Sequence, residues 1–454
     1  MTPLPSDFIT ATEEYLGKAD ADALFRHLDE EPVTSIRLNP FKPADMPFNG
    51  KTVGWCPTGR YLETRPAFTF DPLLHAGVYY VQEAASMFLF QVLNQYLPNH
   101  DIRVLDLCAA PGGKSTLVRS MLSDDSLLVC NEPVRQRAMI LSENIQKFGH
   151  PGVIVTNNYP ADFQCFDDLF DVIIADVPCS GEGMFRKDHN ARDEWSIDNV
   201  NKCLQLQRSI IDDIWHCLRP GGLLVYSTCT FNIHENEKNI EYILHNHEAE
   251  TLEVNTMPEW GISGSLLSGS DIHVYRFMPG RTKSEGLFMS AIRKPERGRQ
   301  RERQHERQRE RQIKSGLDRV RKWLNTDRAM TITVEENNIY AIPTNHADVI
   351  NKMAKKLKIV LAGIHVGMIK GKDIQPQQSL ALSIALAPDA FPRHEVDYDN
   401  AIRYLRRETI SLPADIPRGY VIITYHSYPL GFVKNIGNRC NNLYPNEWRI
   451  RKQV

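Results

Sequence analysis

The stretch RVLDLCAAPGGKSTLVRSML (103–122) decides the fold of this 454-residue chain. Its first part, RVLDLCAA, is an apolar run that predicts a buried strand, and GKSTLVRSML (113–122) predicts a helix. The small residues between them allow the backbone to approach a ligand closely, and the free amides at the helix N-terminus would face that ligand. A strand, a glycine-rich turn and a helix in this order are typical of a ligand-binding α/β domain.

The same alternation continues along the chain. Amphipathic helices are predicted at 134–149, 202–218 and 235–245, and further apolar strands at 127–133, 152–158, 171–177 and 222–229. Continuous apolar strands between such helices indicate a parallel sheet that is covered on both faces. The sequence therefore predicts a doubly wound, Rossmann-like α/β domain.

Composition shifts divide the chain around this domain. Residues 293–314 carry ten Arg or Lys against four Glu and have no apolar face, which favours a linker. In the C-terminal part, YVIITYHSYPLGFVKN (420–435) predicts a β-hairpin. We predict an N-terminal α+β module of RNA-binding type (1–75), the α/β domain (76–293), an Arg/Gln-rich linker (294–316), a first C-terminal module (317–392) and a mostly β second module (393–454).

Overall composition limits the class of protein. The N-terminus lacks the layout of a signal peptide, and no apolar run is long enough to span a membrane, so we expect a protein away from membranes. We also expect a cytoplasmic location and a monomer. Nine cysteines without CxxC spacing predict neither a disulfide framework nor a metal site. The net charge is −3, yet residues 401–454 carry nine basic and three acidic side chains. This asymmetry favours a polyanionic partner for the C-terminal part.

The loop after the first strand has three possible ligands. A phosphate loop would need glycine where Cys108 stands, and a dinucleotide fingerprint would need GxGxxG, which is absent. An adenosyl-methionine pocket also uses a short glycine-rich turn after the first strand. Glu132 ends the second strand 26 residues after Asp106, a spacing at which a carboxylate accepts hydrogen bonds from ribose hydroxyls.

Two later strands each end beside a cysteine. Asp176 and Cys179 follow the strand at 171–177, and Cys229 follows the next one. A thiolate that adds to C6 of cytosine makes C5 nucleophilic, and a second group must later assist elimination of the thiol. A carboxyl group at the N3/N4 edge of the base would stabilise the charge that develops on the ring. Asp176, Cys179 and Cys229 supply this set of groups.

Four segments together resemble the Sun-type RNA (cytosine-5)-methyltransferases, with the closest similarity to the bacterial small-subunit ribosomal RNA methyltransferases of the RsmF type. They are GVYYVQEAASM (77–87), DLCAAPGGKST (106–116), DVPCSGEGMFRK (176–187) and YSTCTFNIHENE (226–237). The C-terminal module resembles the family's PUA-like RNA-binding region. The resemblance implies S-adenosyl-L-methionine as cofactor and RNA, most simply ribosomal RNA, as partner.

The resemblance also implies roles for individual residues. Cys229 would be the nucleophile, Cys179 would assist release, and Asp176 would hold the target cytosine. Where many members have an acid that contacts adenine, this chain has Asn158 and Tyr159. The expected cofactor-binding residues are Cys108, Ala109, Ala110, Pro111, Gly112, Gly113, Lys114, Glu132 and Asp176.

Three rival functions stay open at this point. A DNA cytosine-5 methyltransferase would use Cys179 as its nucleophile, a transfer RNA methyltransferase would share the motifs, and a non-catalytic assembly factor would only bind RNA. The cationic and aromatic residues expected to contact RNA are Arg186, Lys187, Lys370, Lys372, Arg439 and Tyr444.

Overall fold

The computed structural model describes residues 2–43, 50–188, 190–296, 317–325 and 327–452. The predicted linker at 294–316 lies outside the described residues from residue 297 onward. Its first three residues continue the α/β domain, because Lys294 Nζ donates to the carbonyl oxygens of Trp215 and Leu218, at 2.9 and 2.5 Å.

The N-terminal module combines short helices with a four-stranded antiparallel sheet in the order β2-β3-β1-β4. β4 lies beyond the predicted end of the module at residue 75. The elements are α1 (Ser6–Leu16), α2 (Lys18–His27), β1 (Ser35–Leu38), β2 (Thr52–Val53), β3 (Cys56–Tyr61), α3 (Pro72–His75) and β4 (Tyr79–Val81).

The α/β domain is built as the sequence predicts, with helices on both faces of a central parallel sheet. The apolar strands alternate their side chains between two buried cores, one on each face of the sheet. The elements are α4 (Leu89–Tyr96), β5 (Arg103–Asp106), α5 (Gly113–Met121), β6 (Leu127–Asn131), α6 (Arg135–Phe148), β7 (Val153–Thr156), β8 (Phe170–Asp176), α7 (Asn190–Glu194), α8 (Ile197–Ile214), β9 (Leu218–Thr228), α9 (Glu237–His247), β10 (Glu250–Leu252), β11 (Tyr275–Phe277) and β12 (Leu287–Arg293).

The C-terminal region forms two further four-stranded sheets, β13-β14-β16-β17 and β18-β19-β20-β21. The predicted hairpin is present, with its turn at His426 and Ser427 between β19 and β20. The elements are α10 (Asp318–Arg321), β13 (Met330–Glu335), β14 (Asn338–Pro343), α11 (Ala347–Ala354), β15 (Ile359–Ala362), β16 (Ile364–Lys370), β17 (Asp373–Pro376), α12 (Gln378–Leu382), β18 (Arg393–Glu395), α13 (Tyr398–Leu405), β19 (Gly419–Tyr425), β20 (Tyr428–Asn435) and β21 (Cys440–Asn442).

The central sheet has nine strands, eight of them in the order β10-β12-β9-β8-β5-β6-β7-β15, while β11 pairs with β12. The five strands from β9 to β7 are parallel, and the strands outside them are antiparallel. β15 comes from the predicted first C-terminal module, so that module is joined to the catalytic sheet rather than separate from it. The order reverses between β5 and β8, and ligands bind at such a switch point.

The two ends of the chain share one core. Ile36 and Tyr79 of the N-terminal module pack in the same cluster as Tyr404, Val421 and Tyr444 of the last module. Tyr444 is 1% exposed, so the prediction that it contacts RNA is wrong: its ring fills the space between the two modules.

Candidate active site

Side chains from other elements hold the loop between β5 and α5, and the start of α5, mainly through backbone carbonyl oxygens. Asn144 Nδ2 donates to Pro111 O at 2.8 Å, and Arg137 Nη2 donates to Ala110 O at 3.0 Å. The buried Arg37 reaches the same loop, with Nη2 donating to Gly113 O at 3.3 Å and to Thr116 Oγ1 at 2.5 Å. These contacts fix the position of the loop relative to α6 and the N-terminal module. Sequence reasoning missed all three residues, because no pattern links them to the loop.

Gly112 turns this loop into α5. Its φ of +115° lies in the region that favours glycine, and a Cβ there would come within 3.2 Å of Leu141 Cδ1. At the start of the loop, Asp106 is fully buried and accepts from Ser115 Oγ at 2.6 Å through one carboxylate oxygen. Its other oxygen has no hydrogen-bond partner among the described residues. Burial raises the pKa of Asp106 to about 7.

Glu132 follows β6 and is 1% exposed. Its Oε1 accepts from Val134 N at 3.0 Å, and its Oε2 lies 3.7 Å from Arg137 Nη1. Among the described residues no donor makes a close hydrogen bond to Oε2, which can therefore accept from a ligand hydroxyl. The geometry is that of a carboxylate at the carboxyl end of the second parallel strand, as the ribose prediction requires.

Asn158 is buried, and its side-chain amide pairs with the backbone of Lys358. Its Oδ1 accepts from Lys358 N at 3.0 Å, and its Nδ2 donates to Lys358 O at 3.2 Å. The amide is thus occupied in joining β7 to the segment before β15. Tyr159, by contrast, is 69% exposed beside it.

The structure brings Asp176, Cys179 and Cys229 together at the ends of β8 and β9. The two sulfur atoms lie 3.2 Å apart, and Cys229 N donates to Cys179 Sγ at 3.4 Å. Asp176 Oδ1 accepts from Ser227 Oγ at 2.7 Å, while its Oδ2 lies 2.8 Å from Lys114 Nζ. This ion pair therefore joins the first turn of α5 to the acid beside the cysteine pair.

The two cysteines differ in their surroundings. The hydrogen bond to Cys229 and then burial hold the pKa of Cys179 well above its usual range. Cys179 consequently stays protonated beside Cys229 and can donate to its sulfur.

Two buried carboxylates clamp the cysteine loops to each other. Glu182 Oε2 accepts from Phe231 N at 2.6 Å, and Glu235 Oε2 accepts from Ser180 N at 2.9 Å. Asn232 Nδ2 donates to both acids, at 2.9 and 2.8 Å. The loop after β8 is thus tied to the loop after β9 in both directions. Sequence reasoning missed this clamp, although both acids lie inside the quoted motifs.

Arg186 is not available to RNA, which corrects the prediction that it contacts the substrate. Its side chain is 4% exposed and makes two parallel hydrogen bonds of 2.8 Å with the buried Glu285. The extension after Cys179 therefore serves to anchor the loop. Lys187, Lys370, Lys372 and Arg439 are exposed, so their predicted RNA contacts stay predictions.

The described residues hold no group of three or more His, Cys, Asp or Glu side chains that could bind a metal ion. Of the helices formed by those same residues, none has the length and apolar character needed to cross a membrane.

Comparison with known proteins gives three matching family models. Residues 4–84 match the N-terminal domain of 16S rRNA methyltransferase RsmF, residues 92–293 match 16S rRNA methyltransferase RsmB/F, and residues 391–450 match the methyltransferase RsmF PUA domain. Residues 391–450 are therefore referred to as the PUA domain.

Whole-length relatives and solved structures agree with these models. Ribosomal RNA small subunit methyltransferase F of Escherichia coli (strain K12) and of Serratia proteamaculans are each 27% identical over 98% of this chain and 96% of their own length. A methyltransferase homolog protein from Pyrococcus horikoshii has a TM-score of 0.55 at 26% identity, over 64% of this chain and 95% of its own. NSun6 from the same organism, solved with SFG, shares the fold with a TM-score of 0.54 at 20% identity, over 64% and 98%. Taken with the geometry of the site, these findings show that the chain belongs to the RsmB/F family of 16S rRNA methyltransferases.

Proposed function

We propose that this protein methylates C5 of a cytosine in small-subunit ribosomal RNA, with S-adenosyl-L-methionine as the methyl donor. The observation that carries the proposal is the meeting of Cys179 and Cys229, 3.2 Å apart, beside Asp176 and the cofactor loop. A methyltransferase that acts on an oxygen or nitrogen atom has no need of a second thiol at this position. Attack on an unactivated ring carbon requires a covalent nucleophile and a means of releasing it.

The residues around the loop fit the cofactor. Asp106 has a buried carboxylate oxygen without a partner in the described chain, and Glu132 has an Oε2 without a close donor. The cofactor brings an ammonium group, two ribose hydroxyls and a positively charged sulfonium, which suit an acidic pocket. When bound, S-adenosyl-L-methionine supplies the electrophilic methyl group. We assign its binding to Glu132, Asp176, Lys114 and the loop residues Cys108, Ala109, Ala110, Pro111, Gly112 and Gly113.

The reaction at the base then follows from the positions of the two thiols. The Cys229 thiolate adds to C6 and forms an S–C6 bond, which makes C5 the nucleophile. Ser227 and Lys114 hold the Asp176 carboxylate in place. Asp176 accepts a hydrogen bond from the base and keeps the base oriented for the reaction. Once the S–C6 bond has formed, Cys179 gives its own proton to solvent. After C5 has received the methyl group, the Cys179 thiolate takes the C5 proton. The C5=C6 double bond re-forms, and Cys229 leaves as a thiolate.

The target base must leave its stack to reach Cys229, at a cost of about a few kcal/mol. Contacts to the RNA backbone elsewhere on the protein can offset this cost. Ribosomal RNA is the substrate named for the relatives, and it is the first substrate to test. The oligomeric state is proposed to be monomeric.

The test incubates purified protein with labelled S-adenosyl-L-methionine and 16S rRNA, transfer RNA or duplex DNA. Wild type should label 16S rRNA at 5-methylcytosine, and Cys229→Ala should lower the rate at least about 10⁴-fold, as loss of a nucleophile does. Cys179→Ala should form the S–C6 adduct but release it slowly, giving a covalent protein–RNA band on a denaturing gel. Cys203→Ala, a cysteine of α8 outside the pair, is the matched control.

Other outcomes would overturn parts of the proposal. Labelling of transfer RNA alone would replace the substrate and keep the chemistry. A covalent band with Cys229→Ala instead of Cys179→Ala would reverse the two roles. Wild type that binds the cofactor and labels none of the three substrates would contradict the assigned substrate class.

A further inference from the structure

The buried amide of Gln207 contacts the backbone on both sides of Cys179. Gln207 lies on α8 and is fully buried, and its Nε2 donates to Pro178 O at 2.8 Å. The same Nε2 donates to Glu235 Oε2 at 2.7 Å, and that oxygen also accepts from Ser180 N at 2.9 Å. One amide therefore holds the residue before Cys179 directly and the residue after it through a carboxylate.

Every hydrogen-bonding position of this amide is used. Gln207 Oε1 accepts from Asn239 Nδ2 at 2.6 Å and from Tyr226 OH at 3.2 Å. Together with the two bonds made by Nε2, these contacts fill the two donor and two acceptor positions of a side-chain amide. Because Pro178 O can only accept, the Nε2 end of the amide must face the loop after β8. The orientation of Gln207 is therefore fixed from both ends.

Gln207 occupies a position of α8 where an apolar residue would be expected. The other buried residues of this helix are Val200, Ile210, Ile211 and Ile214, and all four are apolar. They share a helix face with Gln207, because they lie three, four or seven positions from it. A buried amide costs free energy unless its hydrogen bonds are satisfied, and an apolar side chain would avoid that requirement. The contacts to the loop after β8 explain why a glutamine stands here.

A second buried amide serves Cys229 in the same way. Asn236 Oδ1 accepts from Thr228 Oγ1 at 2.6 Å, and Asn236 Nδ2 donates to Thr230 O at 3.0 Å. These are the residues on either side of Cys229. Within the described part of the chain, no hydrogen bond joins Gln207 to any of these three residues. Each cysteine therefore has its own amide.

We propose that Gln207 is a positioning residue for Cys179 and thereby sets the rate at which the methylated base is released, an inference that rests on the proposed function. Release requires the Cys179 sulfur to reach the C5 proton while Cys229 is still bonded to C6. Without Gln207, this segment loses the donor to Pro178 O and part of the support for Ser180 N. A displacement of about 1 Å at a reacting group can lower a rate by about 10²-fold. Attack by Cys229 does not depend on this contact.

The test follows the S–C6 adduct over time on denaturing gels, with 16S rRNA and S-adenosyl-L-methionine. Gln207→Met keeps the length of the side chain and removes its hydrogen bonds. Asn236→Ala removes the corresponding amide beside Cys229. Ile211→Ala, which removes a buried apolar contact of the same helix, is the control for lost stability. Gln207→Asn keeps the amide but is one methylene too short for both contacts, and it replaces Gln207→Met if that variant does not fold.

Gln207→Met should slow breakdown of the adduct by at least about tenfold and leave its formation within about twofold of wild type. The adduct should therefore accumulate, and kcat and KM for 16S rRNA should fall together, so that kcat/KM is kept. Asn236→Ala should instead slow formation of the adduct without accumulation. Ile211→Ala should lower Tm and show no accumulation. In a Cys179→Ala background, Gln207→Met should cause no further loss, because both residues act on one step.

Hydrogen exchange in the RNA-free protein measures the positioning without any reaction. The amide of Ser180 should exchange faster in Gln207→Met than in wild type, and by a larger factor than in Ile211→Ala. Mass spectrometry of peptides that span Ser180 measures this difference. An exchange rate that Gln207→Met leaves unchanged would overturn the positioning of the loop by Gln207.

The failure of this inference is distinguishable from the failure of the proposed function. If Cys179→Ala traps the adduct and Gln207→Met does not, only the role of Gln207 is overturned. Equal accumulation in Ile211→Ala would also overturn that role, because lost stability alone would then explain it. If neither cysteine nor glutamine variant traps an adduct and wild type transfers no methyl group, the proposed function fails and the release role fails with it, while the exchange of Ser180 still tests the positioning.

Discussion

The methyltransferase domain and the PUA domain place their arginines in different environments. In the methyltransferase domain, Arg186 and Arg276 are buried, and each makes paired hydrogen bonds with a buried glutamate, Glu285 or Glu237. In the PUA domain, Arg407, Arg439 and Arg449 are exposed at one cavity and have no such partner in the described chain. A buried charge is stable only when it is paired inside the fold, because burial removes its hydration. An exposed charge stays hydrated without a partner and is free to bind a ligand.

The buried arginines of the methyltransferase domain position neighbouring segments, whereas the exposed arginines of the PUA domain are free to bind a ligand. Arg276 Nη1 also donates to Phe231 O at 2.7 Å, and Arg186 Nη2 donates to Ser284 O at 2.9 Å. Both arginines thereby fix segments next to the cysteine loops. Of the four arginines at the PUA cavity, Arg406 makes the one such contact among the described residues, to Lys452 O. We therefore expect substitutions in the first group to affect stability and those in the second to affect RNA affinity.

The largest expected effect is on stability. Arg186→Gln should lower the free energy of unfolding by about 3–5 kcal/mol, because it leaves the buried carboxylate of Glu285 without its cation. Arg449→Gln should change it by less than about 0.5 kcal/mol. Urea denaturation followed by circular dichroism measures both, and Arg186→Gln combined with Glu285→Gln should recover part of the loss. Equal destabilisation by the two single variants would contradict the distinction between buried, paired arginines and exposed, unpaired ones.

A smaller effect is expected at the ion pair between Lys114 and Asp176, which we propose to lie between the cofactor and the base. Burial opposes the charge on Lys114, but the neighbouring Asp176 outweighs burial and raises the pKa of Lys114 above its ordinary value. Lys114→Met should lower kcat by about 10²-fold at saturating substrates, a typical loss for one preorganised electrostatic contact. Lys202→Met, on the exposed side of α8, is the control. A normal kcat with weakened cofactor binding would restrict Lys114 to holding the cofactor.

The smallest expected effect is the pH dependence of stability that arises from buried, neutral histidines. Burial lowers the pKa of His75 to about 3, and that of His346 and His365 each to about 4. The unfolded chain takes up protons at these histidines near pH 6.5, while the folded chain does not, so stability falls as pH drops from about 6.5 toward 4. Urea unfolding at pH 7, 6 and 5 should show this fall, and His365→Gln should make it shallower. A slope that is unchanged by the substitution would contradict the assignment.

Much of the fold could be predicted from the sequence, because its signals are local. The apolar runs of β5, β6, β8 and β9 and the helices between them follow from periodicity alone. The glycine-rich turn and the residues at the strand ends follow from chain order, because parallel strands place their carboxyl ends at one edge of the sheet. For that reason Asp176, Cys179 and Cys229 could be expected to meet before any distance was known.

Other parts of the site could not be predicted, because they depend on which surfaces pack together. Arg186 has the appearance of a surface cation in the sequence, and only the position of Glu285, 99 residues later, makes it an internal anchor. Arg37 reaches the cofactor loop across 76 residues, and the amide of Asn158 is occupied by a strand-forming segment 200 residues away. No local pattern encodes such partners.

The α/β order, the glycine-rich loop and the two cysteines at the strand ends follow from the amino-acid sequence, since each is specified by neighbouring residues and by chain direction. The tertiary structure alone decided that β15 completes the catalytic sheet, that Tyr444 is buried against the N-terminal module, and that four arginines surround one cavity. These features arise from contacts between distant segments. Such contacts depend on which apolar surfaces are buried together and on which charges are left without partners. The periodicity of residues along the chain contains neither kind of information.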